Sequence, residues 1–134
     1  MAVVDASVII SAILSSDPHH EASKAWLASL VNSGSRFSAP AILLSEVAAP
    51  LSRGYGQPDL ANMIVQELII APFANIVPVS ISMARNAAVI AIDCHIRGCD
   101  AVYVALAETL DEELITLDKQ QSERSRHLIR TRKP

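Results

Sequence analysis

Four acidic side chains stand within or beside apolar segments that are typical of a protein core. They are Asp5, Glu46, Asp100 and Asp118. A single carboxylate in such surroundings costs several kcal/mol to keep charged, or it takes up a proton. A shared divalent cation keeps several such acids ionised together, because its charge offsets theirs. The distribution of the four acids therefore favours metal-dependent chemistry.

The segments that must position these acids alternate between short apolar runs and longer helical patterns. We predict strands at 2–5, 37–39, 75–79 and 114–117, and a last edge strand at 127–129. We predict helices directly after Asp5, at 18–32, from Pro40 to an end or kink at Pro50, at 58–69, from Ser80 or Ser82 to Gly98, and at 100–110. Short strands separated by helices indicate a parallel sheet covered on both faces, so the predicted fold class is three-layer α/β/α with about four to five strands.

Two of the acids, Asp5 and Asp118, directly follow predicted strands. Ligands of open parallel sheets bind outside the carboxyl ends of the strands. These two side chains meet there if the first strand and the strand at 114–117 are neighbours. Asp100 at a helix start and Glu46 within a helix can reach the same crevice. Glu46 is the most informative of the four, because its neighbours are apolar and neither a cap nor a turn accounts for it.

Length and composition favour a single compact domain spanning residues 1–134. The chain is 51% hydrophobic and 19% charged, which excludes a disordered chain. No apolar stretch approaches the roughly 20 residues of a membrane span, and the first residues lack the basic start of a signal peptide. We therefore expect a cytoplasmic protein without membrane contact.

The positive charges are concentrated near the end of the chain. The formal net charge is -3, yet six of the eleven basic residues follow Asp118: Lys119, Arg124, Arg126, Arg130, Arg132 and Lys133. Such asymmetry favours a polyanionic partner, although a solvated charged end has the same composition.

Four segments, in this order and spacing, resemble the PIN domain, a family of metal-dependent nucleases whose small bacterial and archaeal members include the VapC-type toxins. The segments are Val3-Val4-Asp5-Ala6-Ser7, Ser45-Glu46-Val47, Cys99-Asp100-Ala101 continuing to Ala107, and Leu114-Ile115-Thr116-Leu117-Asp118. Each is a weak motif alone, but together they extend over nearly the whole chain. The segment from His19 to Leu27 is similar to the second helix of such toxins.

The resemblance implies roles for six residues. The catalytic and metal-binding set would be Asp5, Glu46, Asp100 and Asp118, with hydroxyl support from Ser7 and Thr116. Hard oxygen ligands of this kind suit Mg²⁺ or Mn²⁺ rather than zinc. The resemblance also implies an endoribonuclease that leaves 3′-hydroxyl and 5′-phosphate ends on its RNA substrate, and an antitoxin protein as partner. From the apolar surplus at 18–32 and 57–71 we expect a homodimer and a groove for an antitoxin helix.

Other interpretations explain parts of the pattern. Asp5 and Asp100 can cap helices, and Asp118 can be a turn residue after a strand. A phosphotransferase of the haloacid dehalogenase kind needs a second aspartate where Ser7 stands, and a receiver domain needs a further acid where Ala6 stands. The main alternative function is a PIN-like scaffold that binds RNA or protein without cutting, and the intact set of four acids counts against it.

Overall fold

The computed structural model describes all residues from 1 to 134. One sheet contains the strands β1 Ala2–Val4, β2 Phe37–Pro40, β3 Ala74–Val77, β4 Glu113–Ile115 and β5 Thr131–Arg132. The α-helices are α1 Ala6–Ile13, α2 His20–Asn32, α3 Leu43–Ala49, α4 Pro58–Ile70, α5 Ile81–Cys94, α6 Gly98–Leu110 and α7 Lys119–Ser125. A π-helical turn, Pro50–Gly54, follows α3 directly.

The five strands are all parallel and lie in the order β3-β2-β1-β4-β5, which makes β1 central. Val3 lies opposite Ser38 on one side and opposite Leu114 on the other. The adjacency of β1 and β4, on which a meeting of Asp5 and Asp118 depends, is therefore present. The carboxyl ends of both strands open at the same edge of the sheet.

Helices cover both faces of this sheet. On one side α1 packs against α2 and α3, and α3 packs against α4. On the other, α5 packs against α6, which lies on β1, β2 and β4. The predicted three-layer α/β/α class is confirmed. None of the helices combines the length and the apolar character that crossing a membrane would require.

Helix α6 is the most buried helix and anchors one part of the site. Its residues from Tyr103 to Ala107 are all buried, as is Ala101. Alanines on this helix leave room for close packing against the sheet on one side and α5 on the other. The first turn of α6, which carries Asp100, is consequently fixed relative to the strand ends.

The end of the chain differs from the prediction. The edge strand predicted at 127–129 is wrong, because these residues form a turn and the edge strand is β5, which pairs with β4. Helix α7 was not predicted, since its polar sequence carries no apolar stripe. It forms because Asp118 caps it and its own residue Gln121 is fully buried.

Two prolines mark the limits of α3. The predicted helix start at Pro40 is wrong, because Pro40 lies opposite Val77 as the last residue of β2 and α3 begins at Leu43. The predicted end or kink at Pro50 is confirmed. The α-helical hydrogen-bonding pattern stops at Ala49, and the chain continues as the π-helical turn.

Candidate active site

Asp5 joins β1 to α1 and accepts three hydrogen bonds. It is the N-cap residue of α1, and its Oδ2 accepts the Ser7 backbone N–H at 3.1 Å. The same oxygen accepts the Ser7 hydroxyl and, at 3.3 Å, the Thr116 hydroxyl. Because all three bonds fall on Oδ2, Oδ1 is left for another ligand. The capping role is therefore compatible with a role in binding.

The pKa of the buried Asp5 carboxyl reflects its neighbours. Burial raises this pKa above its ordinary value of 3.8, and the hydrogen bonds from Ser7 lower it. The charges of Glu46 and Asp100 raise it further. Such effects require charges at short range, so these three carboxylates lie near one another. A cation among them would relieve the repulsion.

Ser7 and Thr116 connect the carboxyl ends of β1 and β4. Ser7 Oγ accepts the Leu117 backbone N–H at 3.2 Å, and Thr116 Oγ1 accepts the Asp118 backbone N–H at 3.0 Å. Each hydroxyl thus donates to Asp5 and accepts from the segment that follows β4. These are the two hydroxyl residues to which the family resemblance assigns a supporting role.

Glu46 is half-buried in the first turn of α3. Its Oε2 is shielded from water and has no hydrogen-bond partner, and the same is true of the Tyr103 hydroxyl. Burial, followed by a side-chain interaction of hydrogen-bond type with Glu46 and by the charge of that carboxylate, raises the pKa of Tyr103 well above its ordinary value, so the two groups lie close together although their geometry falls short of a hydrogen bond. A shielded carboxylate oxygen without a partner is costly in a folded protein unless a ligand completes its environment.

Asp100 is nearly buried in the first turn of α6, but it does not cap that helix. The helix begins two positions earlier than predicted, with Arg97 as N-cap residue and Gly98 as first helical residue. The predicted closure of α5 by Gly98 is also wrong. His95 ends α5 in the left-handed conformation, with φ of 54°.

Arg97, which the sequence interpretation did not single out, contacts two of the acids. Its Nε donates to Asp100 Oδ2 at 2.8 Å, and its Nη2 donates to Asp100 Oδ1 at 3.1 Å. Nη2 also donates to Asp118 Oδ2 at 3.3 Å. The i, i+3 spacing of Arg97 and Asp100 is a sequence signal for such a pair. The contact with Asp118 depends on the fold.

Asp118 is the N-cap residue of α7 and borders a polar cavity. Its Oδ1 accepts the Gln121 backbone N–H at 3.0 Å. The cavity, of about 280 Å³, is lined by Thr116, by the acids Asp118 and Glu123 and by the lysines Lys119 and Lys133, among other residues. Lys119 pairs with Glu123 at 3.7 Å, which leaves Lys133 as the lysine of this cavity without an acidic partner.

We call the four carboxylates that meet at this edge of the sheet the acidic edge: Asp5, Glu46, Asp100 and Asp118. Carboxylate oxygens, including Asp5 Oδ1 and the unpartnered Glu46 Oε2, are the ligands that Mg²⁺ and Mn²⁺ prefer. No three acidic, imidazole or thiol side chains are already arranged to hold a cation. The acidic edge fits a divalent cation in its chemistry, and a cation there would need these side chains to draw together.

Comparisons with known proteins agree with this geometry. The sequence profile of the PIN domain family matches residues 2–126. No curated protein sequence matches the chain significantly. A similar solved structure is VapC20 of Mycobacterium tuberculosis, a toxin that cleaves the sarcin-ricin loop, with 16% identity, a TM-score of 0.80, and coverage of 92% of this chain and 94% of that chain.

Two further structures share the fold. FitAcB from Neisseria gonorrhoeae is 20% identical with a TM-score of 0.71, and the match covers 98% of this chain and 96% of that chain. A toxin–antitoxin complex from Klebsiella pneumoniae gives 19% identity, a TM-score of 0.67, and coverage of 90% of this chain and 89% of that chain. At these identities the likeness establishes the fold.

Proposed function

The chain belongs to the PIN domain family, and on that premise we propose that it is a metal-dependent endoribonuclease, the toxin of a toxin–antitoxin pair. The observation that carries this proposal is the acidic edge, whose carboxylates come from four separate parts of the chain: Asp5 lies near Glu46 and Asp100, and Arg97 joins Asp100 to Asp118. A toxin that cleaves the sarcin-ricin loop and a toxin–antitoxin complex have the same fold, which supports the toxin assignment.

The acidic edge would hold Mg²⁺ or Mn²⁺. When bound, the cation supplies an activated water and offsets charge at the scissile phosphate. Ser7 and Thr116 keep Asp5 Oδ2 occupied, so that Oδ1 is the oxygen presented to a ligand. Glu46 adds Oε2, the oxygen that has no partner within the protein.

The proposed reaction is hydrolysis of an RNA phosphodiester. The oxygen of water joins phosphorus, the bond from phosphorus to the 3′-oxygen breaks, and a proton passes to that oxygen. The products carry 3′-hydroxyl and 5′-phosphate ends. Because the acidic edge repels phosphate, positive side chains must offset it. Lys133, which lines the cavity beside Asp118 and has no acidic partner, would bind the RNA backbone, and Lys119 would do so on release from Glu123.

An apolar recess between α1, α2 and α4 is a candidate site for a helix of the antitoxin. Its volume is about 140 Å³, and it is lined mainly by Ile9, Ile13, Leu27, Ile64, Leu68 and Phe73. Amphipathic helices bind apolar grooves of this kind. Leu27→Asp should abolish binding of an antitoxin encoded next to this gene, whereas Ile81→Asp, on an exposed isoleucine of α5, should not.

We further expect a cytoplasmic homodimer. Met63 and Ile70, one heptad apart on α4, are 53% and 71% exposed, and this apolar pair is a candidate contact with a second copy of the chain. Light scattering after size exclusion should give about twice the chain mass of 14.4 kDa at micromolar concentration. A monomer under these conditions would contradict the dimer.

Cleavage of a structured RNA in Mg²⁺ or Mn²⁺ tests the enzymatic proposal. Asp5→Asn and Asp100→Asn should each reduce the cleavage rate by at least about 100-fold, because changes to groups that only support metal ligands already cost 10- to 100-fold. Asp93→Asn, on the exposed side of α5, is the matched control and should cleave like the wild type. Equal cleavage by all four proteins would refute a role for the acidic edge.

The alternative is a PIN-like scaffold that binds RNA or protein and does not cut. It predicts RNA binding by the wild type without products in any metal. A filter-binding assay beside the cleavage assay separates the two functions.

A further inference from the structure

The guanidinium of Arg97 occupies oxygens that a divalent cation at the acidic edge would need. It takes both oxygens of Asp100 in the two-point geometry of an arginine fork, and it takes Oδ2 of Asp118 as well. The other oxygen of Asp118 already accepts a hydrogen bond from the start of α7. As long as Arg97 stays in place, each oxygen of Asp100 and Asp118 accepts a hydrogen bond, and the guanidinium charge repels a cation that approaches these two acids.

The environment of Arg97 allows its side chain to leave. The side chain is 71% exposed, whereas the Asp100 side chain is only 10% exposed. Ion pairs with one partner in water contribute little to stability, and a long arginine side chain reaches bulk water by rotation alone. Asp100 has no comparable freedom, because α6 holds it against the core.

Without a cation, however, Asp100 needs a counter-charge. It lies close enough to Asp5 to raise the pKa of that residue, and Glu46 does the same. An almost buried carboxylate next to two others is unfavourable unless positive charge compensates it. Arg97 supplies that charge from within the chain.

We propose that Arg97 is a built-in counter-cation that holds the acidic edge together in the metal-free protein and competes with the divalent cation for Asp100 and Asp118. Binding of the cation displaces the guanidinium into solvent. The lack of any three ligands already arranged around a common point agrees with this exchange. The proposal rests on the proposed function in one respect, namely that the acidic edge binds a divalent cation.

Competition has a consequence that a purely structural ion pair lacks. Removal of Arg97 should destabilise the metal-free protein and, at the same time, strengthen metal binding. A structural ion pair that merely orients the two acids predicts weaker metal binding on removal. The signs of the two effects therefore distinguish the roles.

Calorimetric titration of the full chain with MnCl₂ measures the metal affinity, and thermal melts in EDTA and in Mn²⁺ measure the stability. Arg97→Gln should bind Mn²⁺ about fivefold more tightly than the wild type, as expected from an exposed ion pair. Arg97→Gln should also melt at a lower temperature than the wild type in EDTA, and Mn²⁺ should raise its melting temperature by more. Arg97→Lys keeps the charge but not the two-point geometry, so its Mn²⁺ affinity should lie between those of the wild type and Arg97→Gln.

Arg36→Gln is the matched control for the change in net charge. Arg36 is exposed and precedes β2, at the opposite end of the sheet from the acidic edge. The Mn²⁺ affinity of Arg36→Gln should equal that of the wild type. If Arg97→Gln folds only when Mn²⁺ is present, that result supports the proposal, and Arg97→Lys then supplies the affinity comparison.

Wild-type or weaker affinity in both Arg97 variants would overturn the proposal and leave the metal-dependent function intact. An absence of Mn²⁺ binding in the wild type and in both variants would overturn both the role of Arg97 and the metal-dependent function.

Discussion

Thr116 Oγ1 donates a hydrogen bond to Asp5 Oδ2 across 3.3 Å, although the two residues are 111 positions apart in the chain. The same hydroxyl oxygen accepts the backbone N–H of Asp118. Thr116 is 2% exposed, so water cannot readily replace it for either partner. One hydroxyl thus couples the acid at the end of β1 to the start of α7.

Thr116→Val should lower both stability and cleavage. Valine keeps the shape of threonine but removes the donor to Asp5 and the acceptor for Asp118, so the free energy of unfolding should fall by about 1–3 kcal/mol. Urea denaturation measures this change. In the control Thr109→Val, whose hydroxyl bonds only to the Ala105 carbonyl in α6, the change should stay within about 0.5 kcal/mol. Equal stability of Thr116→Val and the wild type would contradict the coupling.

Asp5→Asn should stabilise the metal-free protein at neutral pH. Because burial raises the pKa of Asp5 above 3.8, the folded state binds this proton more tightly than the unfolded state does. The contribution of Asp5 to stability therefore falls as pH rises from its unfolded pKa through its folded pKa. Asparagine retains a capping oxygen and carries no charge to bury.

Thermal melts of Asp5→Asn and the wild type in EDTA, over a series of pH values, test this expectation. The variant should melt at the higher temperature near about pH 7, and the difference should shrink as the pH falls toward 3.8, because the raised pKa lets the folded wild-type carboxyl take up its proton above that pH. Asp93→Asn serves as control on an exposed helix face. A difference that is independent of pH would show that ionisation of Asp5 is not its cause.

Divalent cations should stabilise the fold through Glu46. EDTA should lower the melting temperature of the wild type, and Mg²⁺ or Mn²⁺ should raise it. At a cation concentration 100 times the Kd, the free energy of unfolding should increase by about 2.7 kcal/mol. Glu46→Gln should lose this rise, because the unpartnered Oε2 no longer belongs to a charged group. Wild-type melts that coincide in EDTA and in Mn²⁺ would count against a cation at the acidic edge.

Local sequence patterns predicted most of the elements that build the sheet. Apolar runs bounded by turn residues marked β1 to β4, and of the two serines predicted as the cap of α5, Ser80 and Ser82, the cap is Ser80. The failures share a physical cause. Helix α7 depends on burial of Gln121 and on a cap from Asp118, and β5 depends on pairing with β4. Such tertiary contacts leave no periodic signal in the sequence.

For the candidate site, the sequence indicated which acids to examine but not how they are held. Apolar surroundings singled out Glu46, yet nothing local indicated that the Tyr103 hydroxyl would be sealed beside it without a partner. Arg97 was overlooked because a long side chain can pair with many residues, and only the fold brings Asp118 within its reach.

Tyr103 should ionise only when the protein unfolds. It has no exposed surface, and its burial beside the Glu46 carboxylate raises its pKa. The phenolate absorbance of Tyr103 should therefore appear only when alkaline unfolding releases this side chain. Tyr55→Phe, at a residue that is 51% exposed, leaves Tyr103 as the one tyrosine of the chain and isolates its absorbance. Ionisation of Tyr103 before unfolding would mean that water reaches the space between Tyr103 and Glu46, and the shielded Oε2 would then no longer point to a ligand.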